Sequence, residues 1–282
     1  MKKVKLYLNY AGYCFAKANH VVNGDKRENI KFHALFAIIN HPKLGWILFD
    51  TGYTKRFYEE TKKYPNKIYA DITKVVIEDH QELKNQLQSF GIKTNDINHI
   101  IISHFHADHI GGLQDFPNAK IYCSKKAYSQ VKMVSNFFAF SKGILKGLIP
   151  DDIQQRIIYI EDCSKIYSDE IFGLKYDIFQ DDSIISYNLS GHAAGQIGIE
   201  VETNKTKYLL AADSCWDYRA FKEYKLPNQI VRLFFNSWTE YKDSLLKLKT
   251  YHEVNPQIVI VPTHCSKTTE KLVSNKINMD VL

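Results

Sequence analysis

The sequence predicts an α/β fold in which helices pack outside two β-sheets. Three observations carry this expectation. Apolar strand-like runs come in two series instead of alternating one for one with helices, and a helical stretch separates the two series. No linker, repeat or low-complexity segment divides the 282 residues. With 45% hydrophobic and 24% charged residues the chain can bury a sizeable core, so one domain over 1–282 is expected.

The first series opens with apolar runs at 4–10, 34–40 and 46–50. Pro42 and Gly45 between the last two mark a hairpin turn. Residues 55–63 and 81–90 read as helices, the second closed by Gly91. Short strands are expected at 99–103 and 121–124. The stretch 125–148 reads as mostly helical with an aromatic middle, and it opens a mainly helical cap insert around 125–156. The second series places strands at 157–160, 171–179, 184–189, 198–202 and 208–212. A long helix is expected over 238–252, where Ser237 and Glu240 have capping-box spacing. Trp238, Tyr241, Leu245, Leu248 and His252 share one of its faces. A last strand at 257–261 runs into "PTH".

Bulk properties narrow the class. No stretch approaches the ~20 apolar residues of a membrane helix, so no membrane association is expected. The first residues read as a strand rather than a signal peptide. Cys14, Cys123, Cys163, Cys215 and Cys265 are odd in number, widely spaced and free of any CxxC pair. A disulfide framework is not expected, and a reducing cytoplasm is the default. The net charge of +6 is thin support for nucleic acid. Lys120, Lys125, Lys126, Lys132, Lys142 and Lys146 do bunch, either as a solvated face or to attract an anionic substrate.

The chemistry concentrates in "SHFHADHIGG" at 103–112. Residues i and i+2 of an extended segment point the same way, so His104 and His106 can grip one ion together. If a helix then begins, Asp108 and His109 leave that line and can face a second ion. One loop cannot complete two coordination spheres. Three strand ends downstream offer the same donors: His192 in "SGHAAGQ", Asp213 in "LLAADS" and His264 in "IVPTHC". Gly191 allows close backbone approach beside His192. The remaining histidines, His20, His33, His41, His80, His99 and His252, read as structural.

These motifs resemble those of the metallo-β-lactamase superfamily. "HFHADH" matches its H-x-H-x-D-H loop, "FDTG" at 49–52 its early aspartate turn, and His192, Asp213 and His264 the remaining motifs in order. The resemblance implies a four-layer αβ/βα sandwich, two mixed sheets packed face to face with helices outside. It also implies two divalent ions at one edge. His104, His106 and His192 would take the first, and Asp108, His109 and His264 the second. Asp213 would bridge them, and Asp50 would steady the loop from behind. Zinc suits the donors, with iron, manganese or cobalt as alternatives. The implied reaction is hydrolysis by a water that the two ions acidify, with Asp108 passing a proton to the leaving group.

Within the superfamily the layout is most similar to the N-acyl-homoserine lactone lactonases, which implies a small-molecule lactone or ester substrate. Only a short stretch follows His264, with no room for the helical C-terminal domain of glyoxalase-II-type thioesterases. Those lactonases commonly carry a tyrosine three residues after the bridging aspartate. Here Trp216 stands there, with Tyr218 close by. Phe137, Phe138 and Phe140 could form an apolar acyl pocket, or could be a buried helix face. The alternatives are a phosphodiesterase or nuclease of the same superfamily, favoured by the cap lysines, and a weakly catalytic ligand-sensing member. The oligomeric state is left open, a homodimer included.

Overall fold

The early apolar runs grow into strands longer than their hydrophobic centres. In the computed structural model, which describes residues 1–274, β1 (Lys5–Lys17) and β2 (Asn29–His41) pair antiparallel with a bulge between Tyr10 and Tyr13. β3 (Gly45–Phe49) follows through the expected hairpin turn, where His41 Nδ1 accepts the Lys43 and Leu44 amides. β4 (Val75–Val76), β5 (Ile97–Ile101), β6 (Lys120–Cys123) and β7 (Ile157–Tyr159) complete a sheet ordered β4-β1-β2-β3-β5-β6-β7, parallel from β3 onward.

The second sheet holds β8 (Lys165–Asp169), β9 (Gly173–Asp177), β10 (Ile184–Asn188), β11 (Ile197–Glu202), β12 (Lys207–Ala212) and β13 (Val259–Pro262). Its order runs β13 to β8, antiparallel except for the β12–β13 pair. The single strand expected at 171–179 is instead β9, paired with an unanticipated β8. That edge strand is mostly exposed, so it carries little hydrophobic signal.

The central strands of both sheets are buried on both faces. Leu6, Leu35 and Ile47 of the first sheet meet Ile184, Ile199 and Leu210 of the second in one core. On the outer side of the first sheet, Phe36 and Ile38 pack with Phe57 and Leu87 of helices Arg56–Glu60 and Leu83–Ser89. On the outer side of the second, Tyr187, Leu209 and Ile260 pack with Tyr241, Leu245 and Leu248 of helix Trp238–Val254. The layers run helix, sheet, sheet, helix. A strand covered on both faces needs apolar residues at successive positions, which is why β2 reads as an unbroken run.

Three further expectations need correction. Ser237 caps the long helix by accepting the Glu240 amide at 3.2 Å, but the Glu240 carboxylate turns away to Lys126, 2.8 Å distant. Tyr251 rather than His252 takes the last buried position on that helix. The stretch 125–148 departs further. It is α-helical only over Lys125–Met133, with short 3-10 turns at Ala139–Lys142 and Lys146–Leu148 and a helix Ile153–Arg156 beyond. Val134 is extended at φ −71° and ψ 132°, and polar Ser135 and Asn136 follow. Phe137 and Phe138 therefore lie on no helix face, and stand 64% and 61% exposed.

Candidate metal centre

β5 ends at Ile101, and helix Ala107–Ile110 begins directly after an extended His106. His104 and His106 come to one side with ring centroids 4.4 Å apart, while Phe105 between them is buried in the outer core. The helical turn carries Asp108 and His109 off that line, as the spacing requires.

The other donors arrive from strand ends of the second sheet. His192 follows β10. Gly191 before it has φ 132°, and a Cβ there would lie 2.1 Å from the Tyr241 amide nitrogen, so the close approach is to the long helix. β12 ends at Ala212 with φ 48°, a left-handed kink that swings Asp213 off the strand. His264 follows β13, its ring stacked on Phe32 at 4.0 Å.

Seven donor side chains thus form two groups, His104, His106 and His192, and Asp108, His109, Asp213 and His264. Within each group the donor atoms lie within 4.8 Å of one another. Asp213 links the two. Its Oδ2 is 2.9 Å from His264 Nε2 and 3.2 Å from His192 Nε2, and its Oδ1 is 3.3 Å from His109 Nε2.

The outward nitrogens are held from behind. His109 Nδ1 lies 2.7 Å from Asp50 Oδ2, and Asp50 also accepts the Ser103 amide at 2.8 Å and hydroxyl at 2.7 Å. Asp50 is fully buried, and the Thr51 hydroxyl beside it donates to the His109 carbonyl at 2.9 Å. His264 Nδ1 donates to the His33 carbonyl at 2.7 Å. Inward, His104 Nε2, His109 Nε2 and Asp213 Oδ1 are buried without a hydrogen-bond partner. Burying unpaired polar atoms is costly. Imidazole nitrogens and carboxylate oxygens that converge without protein partners fit divalent metal ions.

Electrostatics divides the groups. Burial pushes His104 well below its ordinary range, His106 down to about 4 and His192 down to about 3, so all three are neutral and able to ligate. In the other group burial opposes charge, but the attraction between the two histidines and the two carboxylates outweighs it. Asp108 is held down to about 2 and Asp213 well below the carboxylate range, while His109 and His264 are raised.

Both groups lie at the foot of a cavity of about 490 Å³. Its walls include Phe32, Tyr53, Ile68, Tyr69, Trp216 and Leu233, and no lysine or arginine among the described residues lines it. Of the five expected pocket residues, Trp216 and Phe140 line the cavity. Phe137 and Phe138 do not, for the reason given above. Tyr218 does not either: it lies on helix Tyr218–Glu223 beneath the Lys222 and Lys267 ammoniums. Three of the cap lysines are engaged elsewhere, Lys125 with Asp162 at 2.6 Å, Lys126 with Glu240 at 2.8 Å, and Lys146 with the Val134 carbonyl at 2.6 Å. Sequence reasoning missed Tyr53, Tyr69, Ile68, Ile72, Leu233 and Phe234. Only Tyr53, adjoining the "FDTG" turn, carried a usable signal.

Gly143 presses on this site from the cap. At φ 70°, its Cβ would lie 2.6 Å from His106 Cδ2. Gly143→Ala is expected to displace the His106 ring and weaken metal binding at least about tenfold, read by zinc titration against a chromogenic chelator. Unchanged affinity would show that His106 has room to adjust.

A family model described as the metallo-beta-lactamase superfamily matches residues 37–254. The N-acyl homoserine lactonase AttM of Agrobacterium fabrum is 23% identical over 262 residues, which is 92% of this chain and 93% of that protein. A solved N-acyl homoserine lactone hydrolase, with N-hexanoyl-L-homoserine bound at its catalytic metal center, aligns with a TM-score of 0.74 at 18% identity, covering 96% of this chain and 97% of that one. AidC, a dizinc quorum-quenching lactonase in complex with its product, aligns with a TM-score of 0.63 at 19% identity, covering 94% of this chain and 90% of that one.

Proposed function

The chain belongs to the metallo-β-lactamase superfamily, and we propose that it is a metal-dependent hydrolase opening a lactone or related ester of the N-acyl-homoserine-lactone kind. The observation that carries this reading is the cavity. Convergent histidine and aspartate donors lie beneath walls that are largely aromatic and aliphatic and, among the described residues, hold no lysine or arginine. A phosphodiester would bring a permanent negative charge against those walls, with no lysine or arginine to meet it. A neutral lactone with an apolar acyl chain suits them. The lactonases to which the chain is similar act on substrates of that class.

His104, His106 and His192 would hold one ion, and Asp108, His109 and His264 a second, with Asp213 reaching both. Zinc is the metal that best suits this donor set, and iron, manganese or cobalt accept it too. When bound, the ions would supply Lewis acidity, lowering the pKa of a water and polarising the substrate carbonyl.

The chain's own side chains supply the rest. The aromatic and aliphatic walls exclude bulk water and seat the acyl chain, with Phe140 contributing from the cap. Trp216 packs on Phe32 and His192 at the cavity wall, and its indole N–H is buried without an acceptor. A small turn of the ring would bring that N–H to a substrate carbonyl, at the sequence position where the lactonases commonly carry a tyrosine. Asp108 lies at the cavity, where its carboxylate would take the proton given up by the attacking water and pass it to the leaving alkoxide. The five cysteines are free thiols, which supports a reducing compartment such as the cytoplasm.

The test is proton release from N-hexanoyl- and N-decanoyl-homoserine lactone by zinc-loaded protein, beside release of nitrophenol from bis(p-nitrophenyl) phosphate. Rapid lactone opening is expected, slowed at least about a hundredfold by Asp108→Asn. Inert lactones and a hydrolysed phosphodiester would sink this reading.

A further inference from the structure

Three separate segments meet at the mouth of the cavity. Helix Lys67–Ile72 brings Ile68 and Ile72, the turn Gln229–Phe234 brings Leu233 and Phe234, and the turn Ala139–Lys142 brings Phe140. Leu233 is 83% exposed and Ile72 61%. A substrate in the cavity does not account for all of this apolar surface. Met133, Phe137 and Phe138 precede the third segment, line no part of the cavity, and are also exposed. Phe137 and Phe138 pack edge to face on each other, 5.1 Å between centroids. Apolar surface gathered in this way marks a contact site.

Two of these segments carry charge of one sign only. Residues 132–142 and 225–234 contain Lys132, Lys142, Lys225 and Arg232 and no aspartate or glutamate. All four cations are exposed. The one acid in 67–74, Asp71, is paired with Lys67 at 2.8 Å.

We propose that this lip docks on an anionic lipid bilayer, its apolar tips entering the acyl boundary and its cations meeting the headgroup phosphates. Exposed phenylalanine and leucine interleaved with unopposed lysine and arginine is the composition such a surface selects. A second copy of the chain fits the lip less well. A twofold contact through this face would set the four cations against themselves and close the mouth. A nucleic acid strand could stack on the phenylalanines, but would leave Met133, Ile72 and Leu233 without apolar partners. The proposal goes beyond the hydrolase reading and does not depend on it. It does revise the expectation of no membrane association. That expectation rested on the lack of a spanning helix, which holds among the described residues but concerns crossing a bilayer rather than lying against one.

The test is co-sedimentation of the zinc-loaded full chain with sucrose-filled vesicles, of phosphatidylcholine alone and of a phosphatidylcholine–phosphatidylglycerol mixture. Binding to the mixed vesicles, weakened by salt, is expected. Phe137→Ser with Phe138→Ser should lower the partition about tenfold, with turnover of a soluble substrate unchanged. Lys142→Glu with Arg232→Glu should lower it by a similar factor. The proposal is overturned if the protein stays in the supernatant with both vesicle types, or if both double variants bind like the parent. It is also overturned if the phenylalanine pair instead abolishes a concentration-dependent dimer, or if a single-stranded oligonucleotide binds more tightly than the vesicles.

Discussion

Asp213→Ala is expected to lower kcat/KM at least about a thousandfold and to leave the protein with no more than one tightly held metal ion. The expectation rests on position. Asp213 is the carboxylate whose oxygens reach donors of both groups, with His192 on one side and His109 and His264 on the other. Removing it takes a charged oxygen from both groups at once. His104→Ala would remove a donor from one group only, and should cost less metal. Zinc content after desalting reads the first claim, and lactone turnover the second. Wild-type protein stripped with a chelator should fall to the same turnover and recover on adding zinc, whereas the variant should not recover. Two equivalents of zinc retained by Asp213→Ala would remove Asp213 from the ligand set.

How much of this site was legible in the sequence varies with the kind of contact involved. His104 to His109 could be read because local geometry decides where they point: an extended stretch followed by a helical turn. His192, Asp213 and His264 could be read because each ends an apolar strand, and strand ends of one sheet converge. The cavity walls resisted the same reasoning. Ile68, Ile72, Leu233 and Phe234 sit on helices or turns of six residues or fewer. Elements so short have no periodicity to detect, and their placement depends on tertiary packing. The aromatic stretch 136–140 misled for a related reason. It carries hydrophobicity without an α-helical run, so Phe137 and Phe138 form neither a buried helix face nor a pocket wall, and only the half-buried Phe140 reaches the cavity. The second sheet's edge strand β8 escaped because solvent, not a core, covers it.

Asp50→Ala is expected to cost about 3–5 kcal/mol of folding stability, lowering Tm by about 10 °C, although Asp50 touches no position assigned to substrate. The carboxylate is buried at the end of β3 and accepts from three donors: the Ser103 amide, the Ser103 hydroxyl and His109 Nδ1. Removing it leaves those donors buried without an acceptor. Alanine would also have to hold the left-handed backbone, φ 59°, which aspartate adopts more readily. Asp50→Asn separates the two effects, since asparagine tolerates that conformation and keeps one acceptor oxygen. It should lose less stability than alanine, while both variants bind zinc about 10–100-fold more weakly as the His109 ring comes loose. Asp162→Ala, which removes an ion pair standing in solvent with Lys125, is the control and should change neither reading. Differential scanning calorimetry and zinc titration on the same preparations decide the matter. If Asp50→Ala loses stability but binds zinc as tightly as the parent, Asp50 supports the fold and not the metal site. If it loses zinc affinity at unchanged Tm, the hydrogen bonds of Asp50 serve to aim His109.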